Sequence, residues 1–231
     1  MKNKKLIINE NQYNFLINEM AYPTWFNMDE FKKLTSFAQR VKYCNEKLQR
    51  ISSGSARIVY KIDDEKVLKL AKNRKGIAQN EVEAGDYYLR QIGCFANIYD
   101  FDDNYLWIEM QLVRKVKKSD FKRLTGYDFE TMCAWIRYNA NRYNRYINCS
   151  SEYQKFFESE QWLEFIDDYD NIFNQLSEYL GNYQLNTIGD LTRLSSWGIV
   201  TEDGKERLCI IDFGLNDDVY DDYYKSKRLN W

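Results

Sequence analysis

Apolar positions in this chain follow two different periods, and the dominant period changes near residue 119. Phe31, Leu34, Phe37, Val41 and Cys44 recur at helical spacing, which predicts a helix from Asp29, a candidate N-cap, to about Leu48. Apolar runs then shorten and alternate. Segments 51–62 and 66–71 predict strands joined by the turn Asp63-Asp64-Glu65, and 98–101 and 105–113 predict two more, with a helix over 77–92 between the pairs.

From about Ser119 helical spacing dominates. Asp128 heads a segment carrying Phe129, Met132, Trp135 and Ile136, and Asp170 heads one carrying Phe173, Leu176 and Leu180, closed by Gly181. The strand period returns in a late hairpin, 197–201 and 208–212, turning at Asp203-Gly204. At the front, 5–9 reads as a short strand, 10–20 as an amphipathic helix, and 21–27, with the single proline Pro23, as a linker. A β-rich half followed by a helical half predicts an α+β, two-lobed layout.

Composition narrows the function. The chain has 231 residues, 44% of them hydrophobic and 16% aromatic, so it can bury a large core. The net charge of −2 argues against a general nucleic-acid binder, and residues 1–75 carry sixteen Lys and Arg against eight Asp and Glu. That imbalance fits either a solvated basic face or a face that meets phosphate or an acidic partner. The absence of histidine removes the usual general base, the commonest zinc ligand and Ser-His-Asp chemistry. Five scattered cysteines, Cys44, Cys94, Cys133, Cys149 and Cys209, lack a CxxC pair and read as reduced, mostly buried thiols of a cytoplasmic protein. No apolar run is long enough to span a membrane, and the basic, briefly apolar start does not read as a signal peptide.

Five charged residues stand where they need a reason. Lys69 lies in the apolar strand Val67-Leu68-Lys69-Leu70, where a buried ammonium demands a partner. Glu81 and Glu83 follow on the next helix. Asp190 sits in the loop Ile188-Gly189-Asp190-Leu191, and the hairpin strand Cys209-Ile210-Ile211 runs into Asp212-Phe213-Gly214. Upstream, Ser52-Ser53-Gly54-Ser55-Ala56-Arg57-Ile58-Val59 spans a strand-turn-strand.

This order resembles the protein-kinase-like superfamily, as an atypical, minimal member similar to a group seen in bacteriophage genomes. The resemblance covers roughly residues 51–215. It implies a two-lobed fold: an N-terminal docking element and linker (1–27), a β-rich N-lobe with a preceding helix (28–113), and a truncated, mostly helical C-lobe (114–231). Only Gly54 survives of the three loop glycines. Ser52 and Arg57 hold the outer positions, with Ser55 and Val59 beside them, and Arg57 could contact phosphate or fill the pocket. Lys69 would hold nucleotide phosphates with Glu83, or failing it Glu81, as its partner. The strand bearing Ile108, Glu109 and Gln111 would meet adenine through its backbone. Asp190 would orient the acceptor, and Asp212 would hold Mg²⁺. The expected asparagine five residues after Asp190 is replaced by Ser195, a neutral and poorer ligand, with Ser196 beside it.

Seventeen residues follow Gly214, too few for an activation segment and a peptide platform. The implied function is binding of Mg-ATP, with phosphoryl or nucleotidyl transfer to an unknown protein or small-molecule acceptor. The alternative is a pseudokinase or a phage structural protein, in host cytoplasm or virion, that meets a phage or host protein through its N-terminal segment. No membrane and no specific nucleic acid is implied.

Overall fold

Strand β3 (Lys66–Ala71) is buried along its whole length, because its sheet is covered on both faces. The computed structural model describes residues 22–143, 149–182 and 188–225, so the strand and helix expected over 5–20 lie outside the described residues. β3 pairs antiparallel with β2 (Arg57–Lys61) and β5 (Trp107–Gln111), and the five-stranded sheet is completed by β1 (Gln49–Ser53) and β4 (Ile98–Phe101) in the order β1-β2-β3-β5-β4.

Alternation assigns the two faces. Tyr60, Leu68 and Trp107 point to an outer core with Phe26, Phe31 and Cys44. Val67, Ile108 and Met110 point to the inner core, where helix α3 (Arg74–Gly85) contributes Ala84. The outer cover is two helices, α1 (Met28–Lys32) and α2 (Phe37–Lys47), where the periodicity predicts one. Ser36 explains the break. Its hydroxyl accepts from the Gln39 N–H at 3.2 Å, and the Gln39 carboxamide accepts from the Ser36 N–H at 3.1 Å. This capping box starts a new helix at residue 37.

Residues 22–27 are not a free linker. Phe26 is buried, Tyr22 packs against it, and the Tyr22 hydroxyl donates to Glu109 at 2.5 Å. The helix expected over 77–92 begins earlier, capped by Asn73, and stops at Gly85, leaving a single 3-10 turn at Leu89–Gln91.

Past β5 the chain crosses at Leu112-Val113 into a second sheet, β6 (Arg114–Lys115), β7 (Trp197–Glu202) and β8 (Lys205–Ile210). The β7–β8 hairpin turns at Asp203 and Gly204, both at positive φ. Cys94 and Ala96 hydrogen-bond to Ile210 and tie the strand at its far end to the segment before β4. Among the described residues five helices separate β6 from Asp190: α4 (Lys118–Thr125), α5 (Phe129–Tyr143), α6 (Ser151–Phe157), α7 (Glu160–Ile166) and α8 (Ile172–Asn182). They close on an aromatic core in which Trp162 is fully buried against Trp135, Phe157 and Phe173. Asn171, rather than Asp170, caps α8 by accepting from the Phe173 N–H at 3.0 Å, and the helix continues through Gly181. A single turn, α9 (Ile188–Leu191), carries Asp190, and α10 (Asp217–Tyr223) forms in the acidic segment after Gly214.

The result is a mixed α and β protein with two antiparallel sheets. All five cysteines are free, four of them buried and Cys149 half-buried. No helix among the described residues is long and apolar enough to cross a membrane.

One close approach fixes the α3 start against the β1–β2 turn. A Cβ on Gly76 would stand 2.2 Å from the Ala56 carbonyl oxygen, a backbone atom with nowhere to go. Gly76→Ala is expected to lower stability by about 1–3 kcal/mol through overpacking, measured as a fall in the urea midpoint at unchanged m-value.

Candidate functional site

β2 and β3 project alternate residues from the inner sheet face. Val59 pairs with Lys69 and Arg57 with Ala71, so Arg57, Val59 and Lys69 point the same way. Beneath them α3 presents Glu83, and the end of β8 delivers Ile211 and Asp212. These elements form one ionic cluster, buried except at Asp212, whose side chain is 54% exposed. The Lys69 ammonium donates to the Glu83 carboxylate at 2.8 Å and to the Ile211 carbonyl at 2.5 Å. The Arg57 guanidinium meets the other Glu83 oxygen at 2.8 Å and reaches Asp212 at 2.6 Å. Asn80, also fully buried, accepts a longer bond from Arg57 at 3.4 Å and donates to the Tyr105 carbonyl at 2.9 Å. The Phe213 N–H points at Glu83 from 3.4 Å.

Glu83 therefore serves two cations while 0% exposed, whereas Glu81 is exposed. Burial alone would raise the Glu83 pKa, but Arg57 and Lys69 outweigh it and hold the carboxyl below its ordinary value. Burial depresses Lys69 despite Glu83, and the neighbouring Arg57 charge adds to the depression.

The residues after Asp212 lock in place. Phe213 is buried against Phe95 with ring centroids 4.3 Å apart, and Phe95 meets Tyr179 edge-on. Gly214 lies so close to α3 that a Cβ there would come within 2.5 Å of the Gln79 carbonyl. α10 then folds back. Gln79 donates to the Tyr224 hydroxyl at 3.2 Å, and the Lys75 ammonium sits 4.5 Å above the Tyr224 ring.

Between the two sheets opens a cleft of about 1050 Å³, at the upper end of the size expected of a small-molecule site. Gly54, Ser55, Arg57, Val59, Lys69, Gln111, Asp190, Ser195 and Asp212 all line it. Val59, Val67, Met110 and Ile211 give it an apolar wall, and the connection at Leu112 and Val113 gives it a backbone edge. The β1–β2 turn above is held down by Lys72 on the Gly54 carbonyl at 2.9 Å and by Lys75 on the Ser55 hydroxyl at 2.9 Å.

Glu109 is the exception among the sequence-predicted residues. It points to the outer face, buried with Lys66 at 3.5 Å and Tyr22. Its backbone is enclosed by β3 and β4 on either side, so strand alternation and pairing both remove it from the cleft. Ile108 is buried in the inner core, and Met110 is the β5 residue that lines the cleft wall. Gln111 does reach the cleft, but its carboxamide also bridges to Glu202 of the hairpin at 3.2 Å.

Tyr220, Tyr224 and Arg193 also line the cleft and were not singled out from sequence. The i, i+4 spacing of the two tyrosines in the tail was the available signal. Asp190 pairs with Arg193 at 2.9 Å. Burial and the nearby Asp212 charge nevertheless raise its pKa above the ordinary aspartate value.

The expected metal donors do not suit a divalent ion in this arrangement. Magnesium takes near-octahedral oxygen ligands, but a guanidinium stands 2.6 Å from the Asp212 Oδ1. Ser195, the second expected donor, offers only a neutral hydroxyl.

No protein-family model matches the chain, and no curated protein sequence matches it. Among solved structures it is similar to APH(2″)-IIa in a ternary complex with streptomycin and ATP, at 14% identity and a TM-score of 0.35, over 78% of this chain and 71% of that one.

Removing the shared carboxylate while keeping its shape tests the cluster. Glu83→Gln leaves two buried cations short of a counter-charge and is expected to cost about 3–5 kcal/mol, read from denaturant unfolding at pH 7. The depressed Glu83 pKa gives the pH sign. Its stabilisation is present above the unfolded value of about 4.3 and is lost as pH falls through the folded value. The difference between wild type and variant should therefore shrink below about pH 4.

Proposed function

We propose that this chain is a kinase-like protein that binds ATP in the cleft between a β-rich lobe (28–113) and a helical lobe (114–231). The observation that carries this reading is the buried Lys69–Glu83 pair, bridged by Arg57 to Asp212, with Lys69 and Asp212 both lining a nucleotide-sized cleft. A purely structural pair would not need to open onto a cavity. Val59, Val67 and Met110 would cover one face of the base, and Lys69 would meet the phosphates beneath the Gly54 turn. The adenine-edge contact, expected from the strand bearing Glu109 and Gln111, would fall instead to Val113 in the connection, since the Leu112 N–H already donates to the Glu65 carbonyl at 2.6 Å.

In the phosphotransfer reading, an acceptor hydroxyl attacks the γ-phosphorus and the bond to the β–γ bridging oxygen breaks. Asp190 orients the hydroxyl and takes its proton, and Lys69 offsets the charge on the phosphates. The acceptor side of the cleft is framed by Asp190, Arg193, Tyr220 and Tyr224. A second reading, nucleotide binding without transfer, is favoured by one observation: Arg57 already engages Asp212. The bacteriophage affiliation and a docking role for the N-terminal segment (1–27) rest on sequence resemblance alone.

Calorimetric titration with ATP tests the binding. Wild type is expected to bind, and Lys69→Ala to bind at least about tenfold more weakly through loss of a charge-assisted contact. Failure of wild type to bind at millimolar ATP would sink the nucleotide reading. If transfer occurs, the acid limb of its rate should lie above about pH 3.9, the unperturbed aspartate value, because Asp190 is raised. Asp190→Asn should abolish that limb together with most of the rate.

A further inference from the structure

We infer that Arg57 is a built-in cation at Asp212, occupying the place a divalent metal would need, so that nucleotide binds here without one. This deepens the ATP-binding proposal and rests on it. The argument begins with position. Arg57 opens β2 directly after the turn, and its inward register sets the guanidinium beside both carboxylates of the cluster. It is no swinging surface arginine. Its side chain is only 10% exposed, held by Glu83 at 2.8 Å, Asp212 at 2.6 Å and Asn80 at 3.4 Å.

Charge follows from position. An aspartate facing a polyphosphate repels it unless a cation intervenes. Here that cation is covalently part of the chain. Arg57 and Lys69 match Glu83 and Asp212 in charge, so the half-exposed Asp212 carboxylate meets the phosphates with a cation already at its Oδ1. A divalent ion at Asp212 would instead be driven against a guanidinium already hydrogen-bonded to the same oxygen. Arg57 lines the cleft and retains guanidinium N–H donors beyond those spent on the carboxylates and Asn80. The weak donor at the second position, Ser195, fits the same economy of metal ligands.

The test compares ATP binding by calorimetry in excess EDTA and in excess Mg²⁺, alongside Mn²⁺ binding to the nucleotide-free protein by electron paramagnetic resonance. Wild type is expected to bind ATP in EDTA within about threefold of its affinity in Mg²⁺. Arg57→Gln is expected to lose about tenfold or more in EDTA, to recover part of this with Mg²⁺, and to gain a Mn²⁺ site that the additional Asp212→Asn change removes. Wild-type binding that requires Mg²⁺ overturns this inference and leaves the nucleotide proposal standing. Absence of ATP binding in both media overturns the nucleotide proposal instead. The Mn²⁺ comparison then decides the role of Arg57, and equal binding by wild type and Arg57→Gln overturns it. Should Arg57→Gln not fold, the wild-type comparison still decides. Arg57→Lys, which keeps the charge but cannot span both carboxylates, should then fall between the two.

Discussion

A single carboxylate, Glu83, is where the architecture converges. It is fully buried and holds Lys69 from β3, Arg57 from β2 and, more loosely, the Phe213 N–H from the segment after β8. An unpaired carboxylate at that depth would cost several kcal/mol. The sheet, the helix and the hairpin must therefore meet at that point together, or the site is worse than empty. The same constraint explains the close approaches around it. Gly76 lets α3 touch the β1–β2 turn, and Gly214 lets the post-hairpin segment touch α3.

The cleft follows from how the two sheets are joined. β5 ends at Gln111, the chain crosses at Leu112-Val113, and β6 then pairs with the hairpin that carries Asp212. The inner sheet face and the end of the hairpin are thereby held facing each other. α10 borders the opening with two tyrosines, anchored to α3 through Gln79 and Lys75. The outer sheet face plays a different part. Its buried Lys66–Glu109 pair, capped by Tyr22, secures the N-terminal cover rather than any ligand.

Much of this was legible in the residues. β3 and β4 occur at the expected positions, and the hairpin turns at Asp203-Gly204 because both residues accept positive φ. Lys69 in an apolar strand implied an acidic partner, and Glu83 is that partner. The long first helix was misread because a local capping box at Ser36 and Gln39 outweighs apolar periodicity. α4, α6 and α7 fall within the stretch after Ser119 expected to be helical, but their bounds are not legible because short helices are stabilised by packing rather than propensity, as is α10. Glu109 was misplaced because resemblance gives order along a strand but not which side carries free backbone.

The sequence by itself determined the local terms: strand and helix periods, caps, turn chemistry, and which charged residues stand among apolar neighbours. Only the tertiary structure decided that Arg57 turns inward to join Glu83 and Asp212. A guanidinium's partners depend on register and on a carboxylate 155 residues away. No local preference encodes that distance. It is fixed when the sheet and the hairpin are packed closely enough for one charge to answer another.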